Sequence, residues 1–416
     1  VADEPIPLPS KKRNWRAGIA ADAKGRVIPS AANALYLLTR DPELVHTFAH
    51  NAFTRRNILT QAVPAAISNL APQPGPYPRT WTDNDCFLVQ AYLHRFYTEH
   101  FNYSTVERAM AAAAATTTFH PILQWLDSIK WDGVYRIDTW MVEAFGADND
   151  AYTRAVSAKF LIAAARRVRS PGCQFDHMPL LGGAQGIGKS RCCRSLFGDE
   201  WFTDDLPHDL ANKDSPHALL GVWGIELAEV AQLLGNRNGL ETVKSFLARR
   251  IDRFRPPYGR SFIEQPRQAV FIGTTNRDDI FRDETGNRRF WPIQCAKADF
   301  EWIAEFRSQL WAEAAAREAT GECIWLDNEE LQSEAIHQQA IRFDEDVWTP
   351  RVRDIIAAKL STTSTQLLSD LGVPIHQQDN SAKTRIARIL KMEHWWQKIS
   401  WNAALKKTER TWMPPS

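Results

Sequence analysis

The stretch Gly183-Ala184-Gln185-Gly186-Ile187-Gly188-Lys189-Ser190 constrains this chain more than any other, because it fits the phosphate-binding loop pattern at every fixed position. It follows an apolar run, Met178-Pro179-Leu180-Leu181, that reads as a strand, and precedes a helix-compatible run, Arg191 to Leu196. Strand, glycine loop and helix in that order are the context a phosphate cradle requires. Gly183, Gly186 and Gly188 let the backbone turn its N–H groups toward phosphate oxygens, at the positive end of the following helix. Lys189 is expected to reach the β- and γ-phosphates as a point charge, and Ser190 to hold a Mg²⁺ ion. The sequence therefore implies a nucleoside triphosphate site.

With 416 residues, the chain has room for two or three domains at roughly 150 residues each. A hydrophobic fraction of 44% with 24% charged residues supplies a large core. Net charge is only +1, so any case for nucleic acid must come from local clusters. The 16 Trp are assigned mainly to core and interfaces rather than to base stacking. Six cysteines (Cys86, Cys173, Cys192, Cys193, Cys295, Cys323) show no paired metal-ligand spacing, and no apolar run approaches the ~18 residues of a membrane span. A reduced, cytoplasmic chain is expected. It opens at Val1 rather than Met, as a fragment of a longer protein would.

Composition shifts divide the sequence into an N-terminal segment and linker (1–78), a helical region (79–170), an α/β core (171–296), a helical extension (297–346) and a small C-terminal unit (347–416). The linker is the Pro-rich run Ala71 to Pro78. Core strands are expected at Met178–Gly182, Trp223–Leu227 and Ala269–Thr274, with Phe290–Ile293 a candidate fourth, and helices between the first pairs. That pattern gives a P-loop α/β fold with a mainly parallel sheet.

A phosphate loop needs an acidic partner on a neighbouring strand. Val222 to Glu229 supplies Glu226 at the end of an apolar run and Glu229 three residues on. Glu226 is assigned to the metal and Glu229 to the attacking water, with the roles interchangeable. Glu229 as a simple cap of the next turn is the alternative. The run Ala269 to Thr275 ends in Asn276, which can hydrogen-bond the attacking water or the γ-phosphate, or else form a turn. In Gly286-Asn287-Arg288-Arg289-Phe290-Trp291-Pro292, paired arginines between a tight turn and an aromatic strand could supply an arginine finger, one of them across a subunit boundary. Two ordinary surface arginines are the alternative.

These pieces together resemble the virulence-associated protein E family of phages, satellite elements and genomic islands. That family is similar to the helicase part of phage and poxvirus primase–helicases, the superfamily 3 branch of AAA+ enzymes. Also matching are Trp131-Asp132-Gly133-Val134-Tyr135-Arg136-Ile137-Asp138 and Asp252-Arg253-Phe254-Arg255-Pro256-Pro257-Tyr258-Gly259-Arg260. The resemblance implies that Lys189 and Ser190 bind ATP and Mg²⁺, that Glu226 and Glu229 form the hydrolytic pair, that Asn276 is the sensor, and that Arg288 or Arg289 is the finger. It also implies a ring-shaped homo-oligomer, usually a hexamer, translocating on single-stranded DNA in a bacterial host cell. The acidic motif Glu226-Leu227-Ala228-Glu229 departs from the adjacent acidic pair of viral superfamily 3 enzymes. Relatives often carry an upstream primase domain; no primase motif is found here, which fits a truncated chain or a stand-alone helicase with a separate primase partner.

Between the acidic and sensor strands, seven basic residues (Lys244, Arg249, Arg250, Arg253, Arg255, Arg260, Arg267) face two acidic ones, Asp252 and Glu264. In superfamily 3 relatives this insertion carries a pore-facing hairpin. Its tip here would be Pro256-Pro257-Tyr258-Gly259, with Tyr258 stacking on a base and Lys244, Arg255 and Arg260 following phosphates. Arg249, Arg250 and Arg253 are assigned to interfaces or to the nucleotide, and pairing with carboxylates at subunit interfaces is the alternative for the group. From Arg351 onward, eleven basic residues oppose five acidic ones. Two helices, Thr365–Gly372 and Ser381–Leu390, followed by a candidate β-wing, Trp396–Trp412, give a winged-helix-like unit that could grip duplex DNA, or else a helical cap with a solvated basic face. The expected function is an ATP- and Mg²⁺-dependent DNA helicase or translocase of a mobile element, acting in replication. The alternative is an ATP-switched initiator or regulator that binds DNA without unwinding it.

Overall fold

The computed structural model describes residues 15–65, 75–206, 210, 218–234, 237–255, 262–277, 287–341, 348–402 and 407–415. The chain divides into two units, Val1–Asp278 with Gly286–Gln339, and Asp279–Thr285 with Ala340–Ser416.

The first unit begins with short elements paired over long distances. Helix α1 (Ala31–Arg40) starts where the Ser30 hydroxyl accepts from Asn33 N. Strands β1 (Phe48–Asn51), β2 (Arg56–Leu59) and β3 (Arg79–Thr80), helices α2 (Asp83–Phe96) and α3 (Tyr103–Ala115), and strand β4 (Thr118–Phe119) follow. The sheet order is β3-β2-β1-β4, antiparallel except for β1 beside β4. One apolar cluster joins Leu37, Phe48 and Leu59 to Val89, Leu93 and Met110, so it spans both sides of the Pro-rich run. The sequence expectation for 79–170 was helical throughout. The two-residue strands β3 and β4 depart from it, because their stability comes from pairing with β1 and β2 and leaves no local period to read.

Helices α4 (Pro121–Ser128), α5 (Trp140–Phe145) and α6 (Ala151–Arg169) lead into the main sheet. The sheet elements are β5 (Met178–Gly182), α7 (Lys189–Phe197), β6 (Phe202–Thr203), β7 (Gly224–Leu227), α8 (Val230–Leu234), α9 (Arg237–Leu247), the hairpin β8 (Ile251–Phe254) and β9 (Ile263–Pro266), then β10 (Val270–Thr275) and β11 (Phe290–Gln294). Five strands run parallel in the order β11-β5-β10-β7-β6. Every residue of β5, β7 and β10 is buried, as expected of strands covered on both faces. Helix α10 (Phe300–Ala319) and all but the last two residues of α11 (Glu329–Ile341) complete the unit.

Tryptophan fills this core. Trp223 and Trp311 pack with ring centroids 4.0 Å apart, Phe197 lies against both, and Trp125 and Trp201 meet Trp223 from the side. The Trp131–Asp138 motif is fastened to α10 by the fully buried Glu313, whose Oε2 accepts from Arg136 N and Ile137 N at 2.6 and 3.0 Å. Burial pushes the Glu313 carboxyl up, and Arg317, which also pairs with Asp138, works against that shift.

The second unit contains α12 (Thr349–Ile356), α13 (Ser364–Asp370), α14 (Asn380–Met392) and an antiparallel hairpin of β12 (Trp396–Asn402) with β13 (Lys407–Met413). Its own core gathers Val352, Leu367, Leu368, Ile386, Ile389 and Trp412. Thr362 and Trp412 exchange backbone hydrogen bonds at 3.0 and 2.7 Å, tying the hairpin to the chain before α13. No helix among the described residues is long and apolar enough to cross a membrane.

Candidate nucleotide-binding site

Parallel strands bring their C-terminal ends to one edge, and the crevice outside that edge is where open α/β sheets bind ligands. Here β10 lies between β5 and β7, with Thr275 level with Gly182 and Ile272 level with Glu226. Three expected motifs therefore converge: the glycine loop after β5, Glu229 after β7 and Asn276 after β10. They line one cavity of about 260 Å³, together with Gln185, Gly186, Gly188, Lys189, Ser190, Arg191 and Thr274.

The loop is shaped by its glycines. Gly186 and Gly188 have φ of +80° and +103°, a region that side chains disfavour. Gly183 packs so closely on the carbonyl oxygen of Cys295 that a Cβ there would overlap it. Lys189 is the first residue of α7 and is buried; its ammonium donates to Gly183 O at 2.8 Å and Ala184 O at 2.9 Å, bracing the loop.

Glu226 is 1% exposed. Its Oε1 accepts from Ser190 Oγ at 2.7 Å and from Thr274 Oγ1 at 2.5 Å, while Oε2 is buried without a hydrogen-bond partner among the described residues. Glu229 is exposed on the cavity wall with φ of +49°, a left-handed conformation that costs a non-glycine residue roughly 1–2 kcal/mol. Strain of that kind is sustained where the surrounding structure fixes it, often at functional positions. Asn276 is exposed on the same wall.

Thr274, Gln185 and Arg191 were not singled out from the sequence. Thr274 carried a readable signal, a hydroxyl inside a fully buried strand. Arg191 lies over the Phe300 ring, 3.4 Å from its centroid, a contact that no sequence pattern announces.

Arg288 and Arg289 do not line this cavity. They sit in the turn that opens β11, at the N-terminal edge of the sheet. Arg289 pairs with Asp176 at 2.9 Å, whereas Arg288 is exposed.

The insertion forms an antiparallel hairpin with Ile251 opposite Pro266 and Phe254 opposite Ile263. Tyr258 and Arg260, with the expected tip, lie outside the described residues, and Arg255 is exposed at the end of β8. Lys244 is not brought to that surface: it is buried on α9, with its ammonium 3.0 Å from Glu241. Nor does Arg267 contribute free charge, because it is buried in a bidentate pair with Asp252. Charge counting along the insertion misses both, since it is blind to which face of an element turns inward.

The virulence-associated protein E-like domain family matches residues 126–343, slightly over half of the chain. Among solved structures, the apo structure of the NrS-1 C-terminal region is similar, with a TM-score of 0.50 at 12% identity, covering 90% of this chain and 100% of that one. Two further structures of that region, in its apo A form, give TM-scores of 0.42 and 0.40 at 13% and 15% identity, each covering 70% of this chain and 78% of the other. At such identities the first likeness speaks to fold alone. No curated protein matches the sequence.

Proposed function

The chain belongs to the virulence-associated protein E-like family, and from that premise we propose that it is an ATP hydrolase built on a P-loop core of the superfamily 3 type, which moves along or unwinds DNA during replication. The observation that carries this reading is the convergence at one sheet edge of the glycine loop, Glu226 with Ser190, Glu229 and Asn276. The interposed position of β10 supports it, because a sensor must reach both the phosphate loop and the acidic strand.

In this account the loop amides and Lys189 hold the phosphates, and Lys189 exchanges its two loop carbonyls for them. Ser190 and Glu226 would hold Mg²⁺. The unpartnered, buried Glu226 Oε2 fits such a group, and the few protein ligands suit an ion that retains waters and phosphate oxygens. Bound there, the metal supplies neutralisation of phosphate charge. Glu229, exposed on the wall, orients and deprotonates the attacking water, and Asn276 reports the state of the γ-phosphate.

Arg288 and Arg289 begin a five-residue strand away from the loop, about 15 Å along β5 and β11. That separation favours action on a neighbouring subunit, and hence a ring-shaped homo-oligomer, which we propose to be hexameric. The hairpin, through Arg255, Tyr258 and Arg260, is proposed to contact single-stranded DNA, and the C-terminal unit duplex DNA; Lys244 is not carried forward. The core at 171–296, its flanking helical regions and the unit at 347–416 are the proposed functional divisions, with a primase as a proposed partner.

Strand displacement on a forked duplex tests the reading. Unwinding that requires ATP and Mg²⁺ and disappears in Lys189→Ala is expected. ATP-dependent oligomerisation and duplex binding without strand separation would overturn unwinding and favour the initiator alternative.

A further inference from the structure

A second cavity, of about 530 Å³, opens at the N-terminal edge of the parallel sheet, where β5 and β11 begin. It shares no lining residue with the phosphate-loop cavity. A strand's length, about 15 Å, separates the two edges.

Its walls are aromatic. His177 stacks on the buried Trp291 with centroids 4.5 Å apart and planes 20° apart, and Phe175 meets both rings at 5.7 and 5.9 Å. Trp325 stands at the mouth with 48% of its surface exposed, beside the exposed Ile336. A half-exposed indole on a cavity rim is an open stacking face.

Two polar groups in the cavity are incompletely satisfied among the described residues, the Asp176 carboxylate standing 3.9 Å from His177 Nδ1, beyond hydrogen-bond reach. His177 Nδ1 is buried and makes no hydrogen bond among the described residues. Burial lowers the imidazole pKa to about 4, so near neutral pH the ring is uncharged, with one nitrogen donating and the other accepting. Arg288 lines the cavity and has no ion pair among the described residues, while the adjacent Arg289 is taken by Asp176.

We propose that this cavity is a second nucleotide site, taking the base against Trp325 and the Phe175–His177 wall and the phosphate at Arg288. An apolar ligand would leave the imidazole nitrogen and the guanidinium unpaired, and a simple anion would leave Trp325 uncovered. A nucleotide satisfies both sets, and the volume falls within the ordinary range for a small-ligand pocket. The proposal does not rest on phosphate-loop chemistry. A free mononucleotide and a nucleotide within a strand offer the same groups.

Calorimetric titration distinguishes these sources, with AMP and a five-residue oligo-dT as probes. The proteins are wild type, Lys189→Ala, Trp325→Ala and Trp325→Phe, all without Mg²⁺. AMP is expected to bind wild type and Lys189→Ala alike, to weaken about 10-fold or more in Trp325→Ala, and to recover in Trp325→Phe, which keeps a stacking face. The same pattern confined to oligo-dT would assign the site to strand-borne nucleotide. Affinities for both probes within about 2-fold of wild type in Trp325→Ala would overturn the proposal, given that stacking on one aromatic is worth more than that. Binding lost in Lys189→Ala and kept in Trp325→Ala would overturn it too, while leaving the phosphate-loop reading intact. The converse pattern is the expected one and leaves the phosphate-loop reading standing, because AMP lacks the β- and γ-phosphates that Lys189 is proposed to hold.

Discussion

Replacing Asp252 with Asn tests how the base of the hairpin is held. Asp252 and Arg267 are each 2% exposed and face each other in a fork, Nε to Oδ2 at 2.8 Å and Nη2 to Oδ1 at 2.6 Å, while Arg267 Nη1 donates to Phe246 O. A second guanidinium, Arg167, is 1% exposed and donates to Ala269 O, immediately before β10. Burial first, and then the Arg267 charge, lower the Arg167 pKa to about 10, and Asp252 acts in the opposite sense. Asn preserves the shape of Asp252 and removes its charge, leaving two like charges buried without compensation. Breaking such a pair costs about 3–5 kcal/mol, whereas replacing both partners with apolar residues of similar volume is close to neutral. Asp252→Asn should therefore destabilise the first unit by that amount, and Asp252→Leu with Arg267→Met by clearly less. Denaturant unfolding, with hydrogen exchange at the β10 amides, measures both. A cost below about 1 kcal/mol for Asp252→Asn, or a double variant costing the sum of its singles, would refute the electrostatic account.

Two other perturbations probe the two cavities. Ser190→Ala should weaken ATP binding about 10-fold in the presence of Mg²⁺ and leave metal-free binding nearly unchanged, because the lost hydroxyl is a proposed metal ligand; equal losses in both conditions would remove Ser190 from that role. His177 has a folded pKa of about 4, below the 6.5 of an exposed histidine, so the unfolded chain takes up its proton first as pH falls. Stability should accordingly decline between those two values, by at most about 3 kcal/mol, and His177→Gln should flatten that part of the profile in pH-dependent unfolding.

The parts of the fold that can be read from sequence are those with contiguous, one-directional signals. Met178–Gly182, Gly224–Leu227 and Val270–Thr275 are buried on both faces, so they appear as mainly apolar runs ending at loops, with Glu226, Thr274 and Thr275 as their polar exceptions. Their convergence follows from parallel pairing, which sets Glu229, Asn276 and the glycine loop after strand ends on one edge of the sheet. Strands β3 and β4 were illegible because two residues carry no period. Lys244 was assigned to a nucleic-acid surface and Arg267 counted toward the basic excess, because burial depends on partners, Glu241 and Asp252, that a charge count only subtracts. Thr274 was overlooked inside an apolar strand, although it donates directly to Glu226. The second cavity joins residues 174–177 to 288, 291 and 325–339, stretches with no shared motif: the β5–β11 register brings the first two together, and α11 covers them, with Gln339 donating to Phe290 O.

Steady-state ATP hydrolysis with and without single-stranded DNA, comparing wild type, Lys189→Ala and Glu229→Gln, tests the central claim most directly. The account predicts turnover strongly stimulated by single strands and lost in both variants. Nucleotide binding with negligible turnover, indifferent to DNA, would contradict it and leave an ATP-governed assembly switch as the better description of this site.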